Sequence, residues 1–327
     1  MSRYWLNLVF LYSESSLTRS LTFSKNKKSS RYMKKQKVFT RMDIRQFMDI
    51  SRWLQIVFAP LIYLVNRWLL VSSFANSIIE KNEHLSDIDF MSGVSDSLGL
   101  KVTVRGEIPE KGAIITTSNH PGGGDLCAVF KALAKAGRKD VKVFINPLVH
   151  FEQIAGMVVP VPRGDREKKE QMQKVIENAF AEGNLFHYFA AGKDSRKIDG
   201  KIQDLLWKGT FVSHAIKYGV PIVPIHISGR NSDFFYSLAG LTKRLDLPNF
   251  EQRFLIREVW KARGSRIMVT FGKPIDPTIF GIQADNRQAT NKLAQIIREY
   301  VYILADHPNT NFNKFYNKTK TLNLWKI

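Results

Sequence analysis

The chain has 327 residues, 44% hydrophobic and 24% charged, with 49 Lys plus Arg against 29 Asp plus Glu and a formal net charge of +20. These are the values of a folded protein with a sizeable core, and they exclude a wholly disordered or collagen-like chain. The one cysteine, Cys127, excludes an intramolecular disulfide and a cysteine-rich zinc module, and the seven histidines show no paired ligand spacing, so no metal site is expected.

The first segment, residues 1–41, carries +9, and residues 307–327 carry +4, which leaves only +7 on the body between them. Only Arg3 precedes the short apolar run Tyr4–Tyr12 and no small-residue cleavage site follows, so this is not the pattern of a secretory signal. Residues 13–41 are rich in Ser, Lys and Arg without helical or strand period, so 1–41 reads as a disordered basic extension. The tail 307–327 is Asn- and Lys-rich and reads as basic and flexible. Charged tails of this sign suit an anionic surface, either nucleic acid or lipid head groups.

Residues 42–98 read as a helical region. Its stretch Trp53–Val71 is the greasiest in the chain, but Gln55, Asn66 and Arg67 interrupt it and Pro60 sits in its middle. A spanning helix wants about 20 apolar residues with few charges. The stretch therefore reads as one or two helices lying in a membrane interface, with Trp53, Tyr63 and Trp68 as interfacial aromatics. A buried core helix has the same composition.

From Lys101 onward, β-rich runs alternate with helical patterns. The runs are Val102–Val104, Ala113–Thr117, Val141–Ile145, Met157–Val161, Leu185–Phe189, Ile222–Ile227 and Ile267–Phe271. Helices are predicted over Arg166–Glu182, where Met172, Val175, Ile176, Ala179 and Phe180 follow the 3.6-residue period, and over Asn286–Leu304. The alternation predicts an α/β domain over 99–306, with a mostly parallel central sheet flanked by helices.

Four segments carry chemistry. In Asn119-His120-Pro121-Gly122-Gly123-Gly124-Asp125, the histidine leaves the carboxyl end of a strand and the aspartate opens a helix. A carboxylate on one imidazole nitrogen fixes the tautomer and leaves the other nitrogen as a general base. A loop histidine beside a helix-start aspartate shows the same spacing without function. No G-x-S-x-G is present, which favours direct attack by a substrate hydroxyl. Val159-Pro160-Val161-Pro162-Arg163-Gly164 delivers an arginine that could grip phosphate or carboxylate, or merely face solvent. Phe189-Ala190-Ala191-Gly192-Lys193-Asp194-Ser195-Arg196 follows another strand: Gly192 permits a tight turn whose amides could face an anion, and Lys193, Ser195 and Arg196 supply donors, although an ordinary solvated basic loop looks alike. Pro221–Ile227 reads as a buried strand, with His226 a satisfied core group.

Taken together, the four blocks resemble the glycerolipid acyltransferase family, which carries N-H-x-x-x-x-D, an Arg-Gly block, F-P-E-G and a V-P-I/V-V-P block in this order. The longer string F-x-A-G-x-x-S-R, with Gly200–Lys208 and Gly229–Tyr236 after it, is similar to the bacterial branch that bears a hemolysin label and includes acyltransferases of ornithine and glycine lipids. The resemblance covers about Met42 to Asp276. It implies an α/β acyltransferase with His120 as base and Asp125 as its partner, and with Arg163, Gly164, Gly192, Lys193, Ser195 and Arg196 binding the acceptor's anionic group. It implies no metal or redox cofactor, an acyl-CoA or acyl carrier protein thioester as co-substrate, membrane lipid as partner, and a peripheral or monotopic place on the cytoplasmic face of the inner membrane. No nucleic-acid partner is expected, since the body lacks a zinc finger or RNA-recognition signature. One departure stands out: Ala190 and Ala191 replace the family's proline and glutamate, which leaves the loop more cationic and suits a lyso-aminolipid with a carboxylate better than glycerol phosphate. A basic nucleic-acid binder, and a catalytically weakened lipid-binding relative, are the rival readings.

Overall fold

The structure is a computed structural model that describes residues 58–64, 71–144, 152–159, 166–245 and 250–321. Eight strands are found among them: β1 (Lys101–Arg105), β2 (Ile114–Ser118), β3 (Val141–Val143), β4 (Leu185–Phe189), β5 (Arg196–Ile198), β6 (Lys201–Gln203), β7 (Ile222–Ile227) and β8 (Arg266–Phe271). Six form one sheet in the order β1-β8-β7-β2-β4-β3, and β5 and β6 make a separate antiparallel hairpin. Every neighbouring pair in the large sheet is parallel except β7 with β8. The predicted mostly parallel sheet is thus present, with β8 and β1 running against the other four strands.

Ten helices accompany the sheet among the described residues: α1 (Ala59–Leu64), α2 (Ser72–Lys81), α3 (Asp87–Ser97), α4 (Asp125–Lys135), α5 (Arg166–Ala181), α6 (Thr210–Tyr218), α7 (Asp233–Arg244), α8 (Leu255–Lys261), α9 (Arg287–Ile303) and α10 (Phe312–Thr321). Parallel sheets are covered on both faces, so their strands are apolar throughout rather than alternating. β2 is buried at all its positions. Ile114 and Leu185 point into one apolar cluster with α3 and α4, while Ile115 and Phe186 point into a second with α5, α6 and α9. This is the period-two side-chain alternation of a strand.

The structure departs from the sequence expectations in three places. Of Met157–Val161, the described residues 157–159 add no strand and contribute a single parallel bridge between Val143 and Val158. The second half of the 42–98 region is not a separate unit, because Ile79, Ile88, Phe90, Met91 and Leu98 lie in the same core cluster as the sheet. The stretch after His307 folds as α10, anchored by buried Phe312 against Tyr300 and by Tyr300 Oη donating to Thr310 O at 2.5 Å. Of Trp53–Val71, only 58–64 and Val71 fall among the described residues; Ala59–Leu64 is a helix with Pro60 in its first turn, where a missing N–H costs nothing. Residues 1–41 lie outside the described residues.

Candidate active site

Parallel strands bring their carboxyl ends to one edge, and here that edge gathers three loops. Ser118, the last residue of β2, is in register with Phe189 of β4 and Ile225 of β7. The chain leaves all three strands at nearly one level, so Asn119–Gly124, Ala190–Ser195 and Ser228–Ser232 must meet there. Asn119 locks the first loop to the third: its side-chain amide donates to Ile227 O at 2.9 Å and accepts from Ile227 N–H at 2.8 Å, continuing the ladder past the strand end.

His120 is fixed by its backbone and by its ring. Its N–H donates to both carboxylate oxygens of Asp204 at 3.2 Å, and its carbonyl accepts from Ser195 N–H at 2.7 Å. The ring stacks on Phe189 with centroids 4.1 Å apart and places Nδ1 2.7 Å from Asp125 Oδ2. Asp125 in turn accepts from Gly122 N–H at 2.8 Å and Leu126 N–H at 2.7 Å, at the N-terminus of α4, where a carboxylate is favoured by the helix dipole. The imidazole side chain is 21% exposed and the Asp125 side chain 5%, so the dyad is sheltered yet open on one side.

The glycines make this loop geometry accessible. Gly122 and Gly123 hold φ of +79° and +62°, and a Cβ on Gly122 would lie 2.1 Å from Asn231 Nδ2. Both conformation and space exclude a side chain there. Gly123 N–H donates to Asn231 Oδ1 at 2.7 Å, and Asn231 N–H meets Pro121 O at 3.2 Å. The amides of Gly122 and Gly123 are therefore already engaged by Asp125 and Asn231, and they are not donors for an oxyanion in this arrangement.

Two further carboxylates face the histidine, and neither was assigned from the sequence. Asp194 is buried, with Oδ1 4.0 Å from His120 Nδ1. Asp204 is buried too, and besides the His120 amide it accepts from Ser195 Oγ at 2.5 Å and Trp207 Nε1 at 2.8 Å. Its own backbone is tied to α9, with N–H donating to Tyr302 Oη at 2.8 Å and O accepting from Arg298 at 2.7 Å. Burial by itself would lower the His120 pKa; Asp125, Asp194 and the bond to Asp125, with a smaller push from Asp204, outweigh it and raise it to about 9. Asp125 is held below the usual carboxylate range: burial opposes this, and His120 with the two backbone donors overcomes it. Asp194 is raised, chiefly by burial. Behind the site, fully buried His187 meets Thr116 Oγ1 at 2.9 Å and Ser118 Oγ at 3.3 Å, and burial with the neighbouring His120 charge lowers its pKa to about 3.

The structure brings most of the sequence-selected residues to one place but engages several of them differently. His120, Asp125 and Ser195 are directly bonded as described. Gly192 turns the loop with φ of +69° and donates to Phe189 O at 2.9 Å. Lys193 stands half-buried beside it, and Lys208 Nζ lies 3.5 Å from where a Gly192 Cβ would be. Arg196 is less available than its sequence context suggests: it pairs with buried Glu251, donates to Asp194 O at 2.6 Å and sits over the Phe235 ring. With Arg196 paired to Glu251 and Asp194 turned to His120, the loop is less cationic than its composition implies. Arg163 and Gly164 lie outside the described residues. Ala190 and Ala191 are buried in the second core cluster, where a glutamate would need a partner. His226 is half-buried, and burial lowers its pKa to about 4.

A family model described as "Acyltransferase" matches residues 69–309. The chain is 33% identical over 234 residues to a protein named lyso-glycine lipid O-acyltransferase from Phocaeicola vulgatus, covering 70% of this chain and 82% of that one. A protein of the same name from Bacteroides thetaiotaomicron is also 33% identical over 234 residues, 70% of this chain and 84% of its own length. Among solved structures, the chain is similar to the 1-acyl-sn-glycerophosphate (LPA) acyltransferase PlsC from Thermotoga maritima at 18% identity and a TM-score of 0.37, over 78% of this chain and 96% of that one, a likeness too slight to build on.

Proposed function

The chain belongs to the acyltransferase family, and on that premise we propose that it moves a fatty acyl group from an acyl thioester to the hydroxyl of a lysolipid, with His120 as general base and a lyso-aminolipid bearing a carboxylate as acceptor. The observation that carries this reading is the His120–Asp125 bond of 2.7 Å at the carboxyl edge of the sheet, which leaves Nε2 for the substrate. Nε2 takes the hydroxyl proton as the oxygen attacks the thioester carbonyl carbon. The tetrahedral intermediate collapses, the C–S bond breaks, and the imidazolium returns its proton to the departing thiolate, giving an ester and a free thiol. Asp125 stabilises the imidazolium between the two transfers.

The relatives' names, lyso-glycine lipid O-acyltransferase, and the cations beside Gly192 support this acceptor class. Lys193, which follows Gly192, and Lys208, whose Nζ lies 3.5 Å from where a Gly192 Cβ would be, are the cations proposed to meet a carboxylate head group. The donor is an acyl carrier protein or coenzyme A thioester, and the work is done at a membrane surface, on the cytoplasmic face of the inner membrane, without a metal.

The test is turnover of the full chain on a lyso-glycine lipid in mixed micelles, with acyl-CoA and acyl carrier protein offered in parallel and the ester read by mass spectrometry. Replacing His120→Ala should lower turnover by about 100- to 10,000-fold, the usual worth of a positioned base, with the circular-dichroism spectrum retained. A folded His120→Ala variant with undiminished turnover would overturn the assignment.

A further inference from the structure

The outer face of α7 carries a feature that the mechanism leaves unused. Phe234, Leu238, Leu241 and Leu245 recur at helical spacing, and Phe234, Leu241 and Leu245 are 41%, 51% and 58% exposed. A large apolar stripe rimmed by charge on a water-facing helix marks a contact surface. Its position is informative. α7 begins just after Asn231, which holds Gly123 of the histidine loop, and its Phe235 packs under Arg196. On the other arm of the site, Leu206 is 73% exposed and stands two residues beyond the Asp204 that holds the His120 amide. Exposed apolar side chains thus stand on both elements that clamp the histidine loop.

The charge around the stripe is mostly positive, its one exposed described acid on α7, Asp233 in the first turn, being paired with Arg230. Lys243 and Arg244 are exposed in the last turn of α7, and Arg257 lies over the Phe234 ring at 4.5 Å. The acids of the neighbouring elements point inward: Glu251 and Glu258 are buried, paired with Arg196 and hydrogen-bonded to Ser232 respectively. Apolar residues inside a basic rim match an anionic bilayer, with leucines among the acyl chains and cations at the head groups.

We infer that the α7 stripe together with Leu206 is the surface by which this enzyme sits on an anionic lipid bilayer, so that the mouth of the His120 site opens onto the membrane plane. The inference rests on the lipid acyltransferase reading and adds the surface to it. On such a surface an acceptor with one acyl chain slides from the bilayer to His120 without crossing water.

A thiol-reactive environment-sensitive dye on Leu245→Cys reads this surface locally, because buried Cys127, its thiol pushed up to about 12 by burial, stays unlabelled. With full-length protein, vesicles of phosphatidylcholine plus phosphatidylglycerol should shift the emission to the blue and raise it several-fold; pure phosphatidylcholine vesicles should do far less. The same dye on Lys292→Cys, exposed on α9, should stay silent. An unresponsive Leu245 dye, one already blue-shifted without vesicles (the stripe then being covered by this chain or a second copy), or an equal response at both positions would overturn the inference. The double variant Leu241→Glu, Leu245→Glu should weaken cosedimentation with anionic vesicles at least about tenfold, as expected for withdrawing two leucines from an apolar phase, and keep turnover on a detergent-dispersed acceptor. If the dye inserts while the wild-type chain acylates no lysolipid, the surface stands and the substrate reading falls; turnover with a silent dye is the converse.

Discussion

Asp194 Oδ1 lies 4.0 Å from His120 Nδ1, on the same ring nitrogen that Asp125 holds at 2.7 Å. Two buried carboxylates on one imidazole stabilise its protonated form, and the raised pKa of about 9 follows. A base works only when neutral. At pH 7 a group with that pKa is neutral in about one molecule in a hundred. Acyl transfer should therefore rise about tenfold per pH unit from pH 7 and level off near 9. Asp194→Asn keeps the shape and removes one charge, so the limb of the kcat/KM profile should move to lower pH. A profile that stays put in Asp194→Asn would assign the whole effect to Asp125.

Asp204 is the joint between the catalytic loop and α9. Asp204→Ala would leave the His120 N–H, Ser195 Oγ and Trp207 Nε1 donors without their acceptor. Unmade buried hydrogen bonds cost about 1–3 kcal/mol each. The variant should lose several kcal/mol in urea unfolding, and turnover with it. Asp204→Asn, which retains one oxygen, should fall between it and the wild type on both measures.

Gly122→Ala tests the loop's backbone. A left-handed φ costs a residue with a side chain about 1–3 kcal/mol, and here the new methyl also displaces Asn231. The melting temperature should drop and turnover should fall with it. Gly112→Ala, whose φ is also positive but whose Cβ would meet nothing within 4 Å, should show the strain alone and retain turnover.

Acid stability should carry the mark of the buried histidines. His187 is lowered to about 3, and His214 and His226 to about 4, each chiefly by burial. The unfolded chain protonates them near 6.5 while the folded chain does not, so their contribution is complete above pH 6.5 and is lost as pH falls toward 4. His120 has the opposite sign: its raised pKa stabilises fully below 6.5 and is lost as pH climbs through about 9. Urea midpoints should decline on both sides of neutrality. His187→Leu should flatten the acid slope, and His120→Gln the alkaline one.

The elements of this fold were readable because they repeat. Met172, Val175, Ile176, Ala179 and Phe180 predict α5 by their period, and the apolar runs predict β2, β4 and β7, since a strand buried on both faces must be apolar throughout. His120 and Asp125 were legible for the same local reason: five residues apart across a strand end and a helix start, they are close whatever the rest of the chain does. Asp194, Asp204 and Asn231 were not legible as parts of the site. Each is one polar residue in a loop, without period, and its partner lies 74, 84 or 108 positions away. Only the parallel register of β2 with β4 and β7 brings those loops to one edge. The same register decides what Arg196 does, because Glu251 comes to it across the fold and not along the chain. Local chemistry is written in neighbouring residues; the proton affinity of His120 and the pairing of Arg196 are sums over distant groups, and those sums exist only once the sheet has closed.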